Sequence, residues 1–132
     1  MLRSIESLLG SEHADTLIGD AGSNSLEGDG GNDTLDGGAG NDTLTGGAGA
    51  DHFRFVESGS GADIIADFDG AEDKIVLNEG AFADFAAFTA DSGTSIEASG
   101  DDVLVTLSAG NTITVQDAEL NDINTADVFL FV

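Results

Sequence analysis

The chain has no cysteine and only two histidines, and its three basic residues face 26 acidic ones. Without cysteine it forms no disulfide. A zinc centre, which wants thiolate or imidazole ligands, could draw only on the isolated His13 and His52. A formal net charge of −23 at pH 7 argues against nucleic acid and anionic membrane as partners, because both would be repelled. Long apolar runs are missing too. No segment approaches the roughly 18 apolar residues of a membrane span, so no membrane insertion is expected. Met1 to Gly10 lacks the apolar stretch of a secretory signal, so an exported chain would leave the cell by another route. What this charge does suit is solubility and the binding of multivalent cations.

Glycine, by contrast, is abundant, and it recurs at a fixed period. Five contiguous nine-residue units begin at Gly10, Gly19, Gly28, Gly37 and Gly46. The sixth place holds Asp15, Asn24, Asp33, Asp42 and Asp51, and the eighth holds Leu17, Leu26, Leu35, Leu44 and Phe53. Such a period points to a solenoid. The first six places are too rich in glycine for a helix or strand and read as a turn. The last three read as a short strand with only its middle residue inward. Two units then make one coil of 18 residues. Leu17, Leu35 and Phe53 form one interior column, with Leu26 and Leu44 facing them. Asp15, Asp33 and Asp51 stack in the same way, as do Asn24 and Asp42.

Neighbouring strands lie roughly 4.8 Å apart, and carboxylates stacked at that spacing repel by about 1 kcal/mol in water and several times more at lower dielectric. Five apolar side chains do not outweigh this repulsion together with the ordering entropy of so many glycines. A cation between the turns is therefore required. Calcium fits, because it takes about six to eight oxygen ligands in flexible geometry, whereas magnesium demands a tighter octahedron and keeps its waters.

These units resemble the nonapeptide Gly-Gly-x-Gly-x-Asp-x-apolar-x of the RTX (repeats-in-toxin, haemolysin-type) calcium-binding family. The Gly37 and Gly46 units match it fully, the Gly28 unit lacks only the second glycine, and the Gly19 and Gly10 units are degenerate. The resemblance implies an all-β fold, a parallel β-roll with calcium between turns 18 residues apart. The earlier turn gives its second- and fourth-place carbonyls, the later turn its first and third, and both give the sixth-place side chain. One site would use Ser11, His13 and Asp15 with Gly28, Gly30 and Asp33. The next would use Asp20, Gly22 and Asn24 with Gly37, Ala39 and Asp42. A third would use Asp29, Gly31 and Asp33 with Gly46, Ala48 and Asp51. His13 stands where glycine is usual and Asn24 is a neutral ligand, so the first two sites are expected to be weaker than the third.

A degenerate sixth unit, Ser58 to Ala66, offers Asp63 over Asp42 for a fourth site, with Gly38, Gly40 and Ser60 lending carbonyls. The run Asp67-Phe-Asp69-Gly70 followed by Asp73-Lys-Ile-Val-Leu77 resembles the block that closes many such rolls. There Asp67 would contribute to a last calcium, and Gly47 and Gly49 are further candidate ligands of the roll. Three to five calcium ions follow. An EF-hand starting at Asp67 is rejected, because its twelfth place is Asn78 and the third Asp is missing.

Residues 1–9 are expected to form an opening strand or short helix, residues 10–66 the roll, and residues 67–132 a C-terminal cap. Phe82, Phe85 and Phe88 predict a short amphipathic helix over 81–89. Val103–Leu107 and Thr112–Gln116 predict an antiparallel hairpin that covers the open end of the roll. The tail Asp127, Val128, Phe129, Leu130, Phe131, Val132 reads as a last strand. It also resembles the uncleaved C-terminal signal of bacterial type I secretion, which implies the secretion machinery as a partner, an extracellular location and an upstream cargo domain.

No catalytic site is evident. His13 and His52 have no Ser or Cys partner, and the carboxylates repeat along a line instead of pairing in contrasting environments. The function expected is a calcium-binding module, disordered without calcium, that folds outside the cell and serves export and stabilisation of an attached protein. The alternative is a calcium-dependent surface or polysaccharide-binding module.

Overall fold

In each unit the glycine-rich places turn the chain, and the next three residues form the strand. The computed structural model describes residues 7–56, 61–78, 94–107, 111–123 and 127–131. Its first five strands are three residues each: β1 (Ser7–Leu9), β2 (Thr16–Ile18), β3 (Ser25–Glu27), β4 (Thr34–Asp36) and β5 (Thr43–Thr45). Four of them occupy the seventh to ninth places of their units, as the period predicts. Longer strands follow as β6 (His52–Val56), β7 (Ala62–Ile65) and β8 (Lys74–Asn78). The remainder are β9 (Ser95–Ser99), β10 (Asp102–Thr106), β11 (Thr112–Val115) and β12 (Phe129–Phe131), with one helical turn at Leu120–Ile123.

From β1 to β8 consecutive strands alternate between two sheets, and β9, β10 and β11 all join the first. One runs β1-β3-β5-β7-β11-β10-β9 and the other β12-β8-β6-β4-β2. All pairings within the roll are parallel, and the register aligns Leu8, Leu26, Leu44 and Ile65 in one sheet. Leu17, Leu35, Phe53, Ile75 and Phe129 align in the other. The result is a β-solenoid of about three turns. Leu26, Leu35, Leu44, Phe53, Ile65 and Ile75 are fully buried between the sheets, and each such side chain stabilises the fold by about 1.5–3 kcal/mol. At the N-terminal end the columns finish in the half-buried Leu8 and Leu17.

Past the repeats the coil lengthens, and the columns absorb the insertion. The ladder continues beyond residue 66, since all five residues of β8 pair with β6. The predicted hairpin is present as β10 and β11, with Val103 opposite Val115 and Val105 opposite Ile113. It docks by laying β11 parallel to β7, which covers an edge the roll would otherwise expose. The sequence reading did not include β9, a largely polar strand whose Ile96 lies opposite Val105. Of the opening segment, Ser7–Leu9 is strand and forms a further rung on β3. The tail pairs as β12 alongside β8, burying Val128 and Phe129 while Leu130 stays partly exposed. The helix expected over 81–89, Ser60 and Val132 lie outside the described residues.

Candidate metal centres in the stacked turns

The strands fix where the turns fall, and the turns bring the sixth-place side chains inward. In each case the backbone N–H of one sixth-place residue donates to Oδ1 of the next one along the column. Asp15 donates to Asp33 at 2.8 Å, Asp33 to Asp51 at 2.9 Å, and Asp51 to Asp73 at 2.9 Å. In the other column Asn24 donates to Asp42 at 2.7 Å and Asp42 to Asp63 at 2.9 Å. These carboxylates are structural as well as acidic: Asp33, Asp42, Asp51, Asp63 and Asp73 are all at most 2% exposed.

Their second oxygens are less well provided for. Oδ2 of Asp33, Asp42 and Asp51 is buried with no hydrogen-bond partner, an arrangement that costs several kcal/mol for an ionised group. Space has been left beside each. A Cβ at Gly28 would lie 2.2 Å from Asp33 Oδ2 and 2.6 Å from the Gly46 carbonyl oxygen. A Cβ at Gly37 would lie 2.4 Å from Asp42 Oδ2, and one at Gly46 would lie 2.2 Å from Asp51 Oδ2. Glycine at the first place therefore keeps a cradle open between a carboxylate and a carbonyl.

Carbonyls of the earlier turn lie close beneath the second- and fourth-place glycines of the next. A Cβ at Gly47 would meet the Asp29 oxygen at 2.0 Å, and one at Gly49 would meet the Gly31 oxygen at 2.2 Å. Among the described residues no group of three or more His, Cys, Asp or Glu converges. A cation here would rest on paired carboxylates and backbone carbonyls, an all-oxygen donor set that suits a hard ion such as calcium.

The residues singled out from the sequence are placed as follows. In the first pair of turns, Asp15 Oδ2 and the Gly28 carbonyl flank Gly10, Gly30 donates to the Ser11 carbonyl at 3.0 Å, and His13 backs onto Gly31. In the second, Asn24 Oδ1 and the Gly37 carbonyl flank Gly19, while the Asp20 and Gly22 carbonyls face Gly38 and Gly40. Ala39 is exposed in that turn. In the third, Ala48 donates to the Asp29 carbonyl at 2.8 Å and Asp33 lies under Asp51. In the fourth, Asp63 lies over Asp42, and the Gly40 carbonyl faces Gly61.

Asp67 takes a different place from the stacked carboxylates. Its two oxygens accept the N–H groups of Gly46 at 2.9 Å and Gly47 at 2.7 Å. The position over Asp51 belongs to Asp73, which sequence reasoning did not single out as a site residue. Its signal was available: Asp73 stands two residues before the inward Ile75, the spacing of every repeat unit. Asn32 and Asn41 were also passed over. Their side-chain oxygens accept the N–H groups of Ala50 at 2.9 Å and Ala62 at 3.0 Å, tying successive turns together.

Burial pushes the Asp33, Asp42 and Asp51 carboxyls up, and neighbouring carboxylates add to this, against the opposing pull of the N–H each accepts. Burial moves Asp63 to about 7 and Asp73 to about 6. Each of these groups would favour its charged form with a cation alongside. His13 and His52 are both exposed, in separate parts of the roll.

With this geometry in hand, comparison with known proteins is specific. A family model described as an RTX calcium-binding nonapeptide repeat (4 copies) matches residues 9–44 and 27–54. The solution structure of the AlgE6R2 subunit of the Azotobacter vinelandii mannuronan C5-epimerase is 31% identical, with a TM-score of 0.65, over 98% of this chain and 92% of that one. The AlgE6R3 subunit of the same enzyme is 26% identical over 98% and 85%, with a TM-score of 0.57. The extracellular lipase LipA of Serratia marcescens is 25% identical with a TM-score of 0.58, over 96% of this chain but only 21% of the lipase. No curated protein matches the chain.

Proposed function

The chain belongs to the RTX family of calcium-binding nonapeptide-repeat β-rolls, and from this premise we propose that it is a calcium-triggered folding module. In low calcium, repulsion among stacked carboxylates and the entropy of the glycine turns keep it extended. At extracellular calcium it closes into the roll and stabilises a protein attached to it. The observation that carries this reading is the set of three buried carboxylate oxygens, on Asp33, Asp42 and Asp51, that have no hydrogen-bond partner. Calcium held by these side chains and the facing carbonyls would neutralise the columns that the fold brings together.

Export accompanies the same reading. An extended acidic chain threads a narrow channel, and folding on the far side opposes back-sliding. The tail Asp127 to Val132, acidic then apolar, would serve as the type I secretion signal. In the lipase LipA the matching region is a small part of an extracellular enzyme, which supports an upstream cargo. Export of a fused cargo that persists when the tail is removed would sink the signal assignment.

The folding claim is tested by titrating calcium into metal-free protein while following far-UV circular dichroism, with magnesium as control. A cooperative gain of β signal with calcium, at about 10⁻⁴–10⁻³ M as in extracellular modules, is expected. A chain equally folded without metal would overturn it.

One observation favours a second reading, an acidic-polysaccharide contact. Arg54 and Lys74 lie on the neighbouring strands β6 and β8, with His52 opposite Lys74, although the whole chain has three basic residues. Binding of a uronate polymer measured with and without calcium separates this from a pure folding role.

A further inference from the structure

The six turns described from end to end fall into two conformations. In the turns starting at Gly28, Gly37 and Gly46 the second-place residue is left-handed, with φ of 78° at Asp29, 84° at Gly38 and 90° at Gly47. The fourth place is left-handed as well, with φ of 93° at Gly31, 101° at Gly40 and 119° at Gly49. These are the three turns whose sixth-place Oδ2 has no hydrogen-bond partner.

The other three turns keep their second and fourth places out of the left-handed region and close on themselves. The second-place N–H donates to the sixth-place side chain: Ser11 to Asp15 Oδ2 at 2.5 Å, Asp20 to Asn24 Oδ1 at 2.8 Å, and Asp69 to Asp73 Oδ2 at 2.8 Å. The second-place side chain then accepts the fourth-place N–H. His13 donates to Ser11 Oγ at 3.1 Å, Gly22 to Asp20 Oδ1 at 2.8 Å, and Ala71 to Asp69 Oδ1 at 2.9 Å. In the first turn the Ser11 hydroxyl also donates to Asp15 Oδ2 at 2.9 Å.

We propose that the backbone conformation of the second-place residue decides which turns take calcium, so that only the turns led by the left-handed Asp29, Gly38 and Gly47 supply a sixth-place carboxylate to a cation from the earlier side. Ser11 and Asp20 hold their turns shut with an intramolecular N–H in the place of the ion. This rests on the calcium reading above. Its physical basis is competition for one set of lone pairs. An N–H aimed at the carboxylate or amide oxygen puts positive charge where the ion would sit, and its dipole opposes a cation. Opening the first turn would require Ser11 and His13 to enter a region of φ that side chains disfavour, besides breaking the hydrogen bonds just described. The Gly46 turn is open, and the turn over it ends in Asp73. The last ion is therefore shared by Asp51 and Asp73, and the series is Asp33 with Asp51, Asp42 with Asp63, and Asp51 with Asp73.

Native mass spectrometry of the full chain at saturating calcium, cross-checked by calorimetric stoichiometry, tests this. Three ions per chain are expected, one for each unpartnered oxygen. Four or more specifically bound ions in the unmodified chain would overturn the proposal while leaving the calcium reading intact, and no bound calcium would overturn both. The double variants Ser11→Gly with His13→Gly, and Asp20→Gly with Asn24→Asp, should each add one ion. An unchanged count in folded variants counts against the proposal. Amide hydrogen exchange on the calcium-loaded unmodified chain needs no variant. The Ser11, Asp20 and Asp69 amides should be protected, and rapid exchange at Ser11 and Asp20 would mean those turns had opened for metal.

Discussion

Asp33 donates its backbone N–H to Asp51 Oδ1 at 2.9 Å, while its own Oδ2 lies buried without a partner. One residue thus links two coils and carries the uncompensated charge that sets them apart. In this column Asp33 and Asp51 each tighten the roll through a hydrogen bond and leave a carboxylate oxygen without a partner, which the proposed calcium would neutralise.

Replacing that charge tests the dependence. Asp51→Asn keeps the acceptor for the Asp33 N–H but removes a carboxylate from two adjacent gaps. The calcium midpoint of folding should rise by about tenfold, equivalent to about 1.4 kcal/mol, with little change in the loaded secondary structure. A midpoint that does not move in a circular dichroism titration would place calcium elsewhere.

Glycines divide into those that hold space and those that only supply backbone freedom. Gly47 has φ of 90° and a Cβ there would come within 2.0 Å of the Asp29 carbonyl oxygen, whereas Gly100, with φ of 65°, has nothing within 4 Å. Gly100→Ala should cost about 1–2 kcal/mol from the left-handed conformation alone. Gly47→Ala should cost more, because the turn below must also shift, and thermal unfolding of the two calcium-loaded variants gives the comparison.

The interior columns set the stability of the loaded form. Phe53 is fully buried, stands between Leu35 and Ile75, and meets Phe68 with ring centroids 6.0 Å apart. Phe53→Ala should destabilise by about 3–5 kcal/mol, while the partly exposed Leu130→Ala should cost far less. Denaturant unfolding in excess calcium measures both.

Acidity should act in opposite directions with and without metal. The folded-state carboxyls of Asp63 and Asp73 stand at about 7 and about 6, above the value of about 3.9 for an unperturbed Asp. Below pH of about 4 both states are protonated and the groups cost nothing. As pH climbs from there towards 7 the unfolded chain ionises first, so the metal-free roll loses stability. Metal-free protein should therefore show more β signal at mildly acidic than at neutral pH, and Asp63→Asn should flatten the upper part of that profile. With calcium the trend reverses, because ion and proton compete for the same oxygens. A metal-free signal that grows towards neutral pH contradicts the assignment.

Much of this molecule was legible in the chain. A nine-residue period with glycine first, Asp or Asn sixth and an apolar residue eighth dictates turn, carboxylate and strand in that order, because the glycine-rich places favour a turn and the places around the apolar residue favour a strand. It gave the two columns from Leu17 to Phe53 and from Leu26 to Leu44, and the hairpin of Val103 and Val105 against Ile113 and Val115 followed from simple alternation. The strand Ser95–Ser99 was not legible, because only Ile96 packs inward and the rest of its order comes from the edge of β10.

Tertiary structure alone decided two further matters. Asp73 carries the repeat spacing to Ile75, but its place above Asp51 is fixed by β8 pairing along the whole of β6, across a coil of 22 residues where the repeats use 18. Asp20 and Asp29 are the same residue type at the same place in adjacent units. Asp20 closes on Asn24, while Asp29 is left-handed and leaves Asp33 open. Local sequence permits aspartate either conformation, since it tolerates the left-handed region better than most residues. The choice falls to the stacked neighbours: Asp29 offers its carbonyl to Ala48 in the turn above, and Gly30 pairs back onto Ser11 below. The chain determined that carboxylates would stack, and the stacking of whole turns determined which of them were left without a partner.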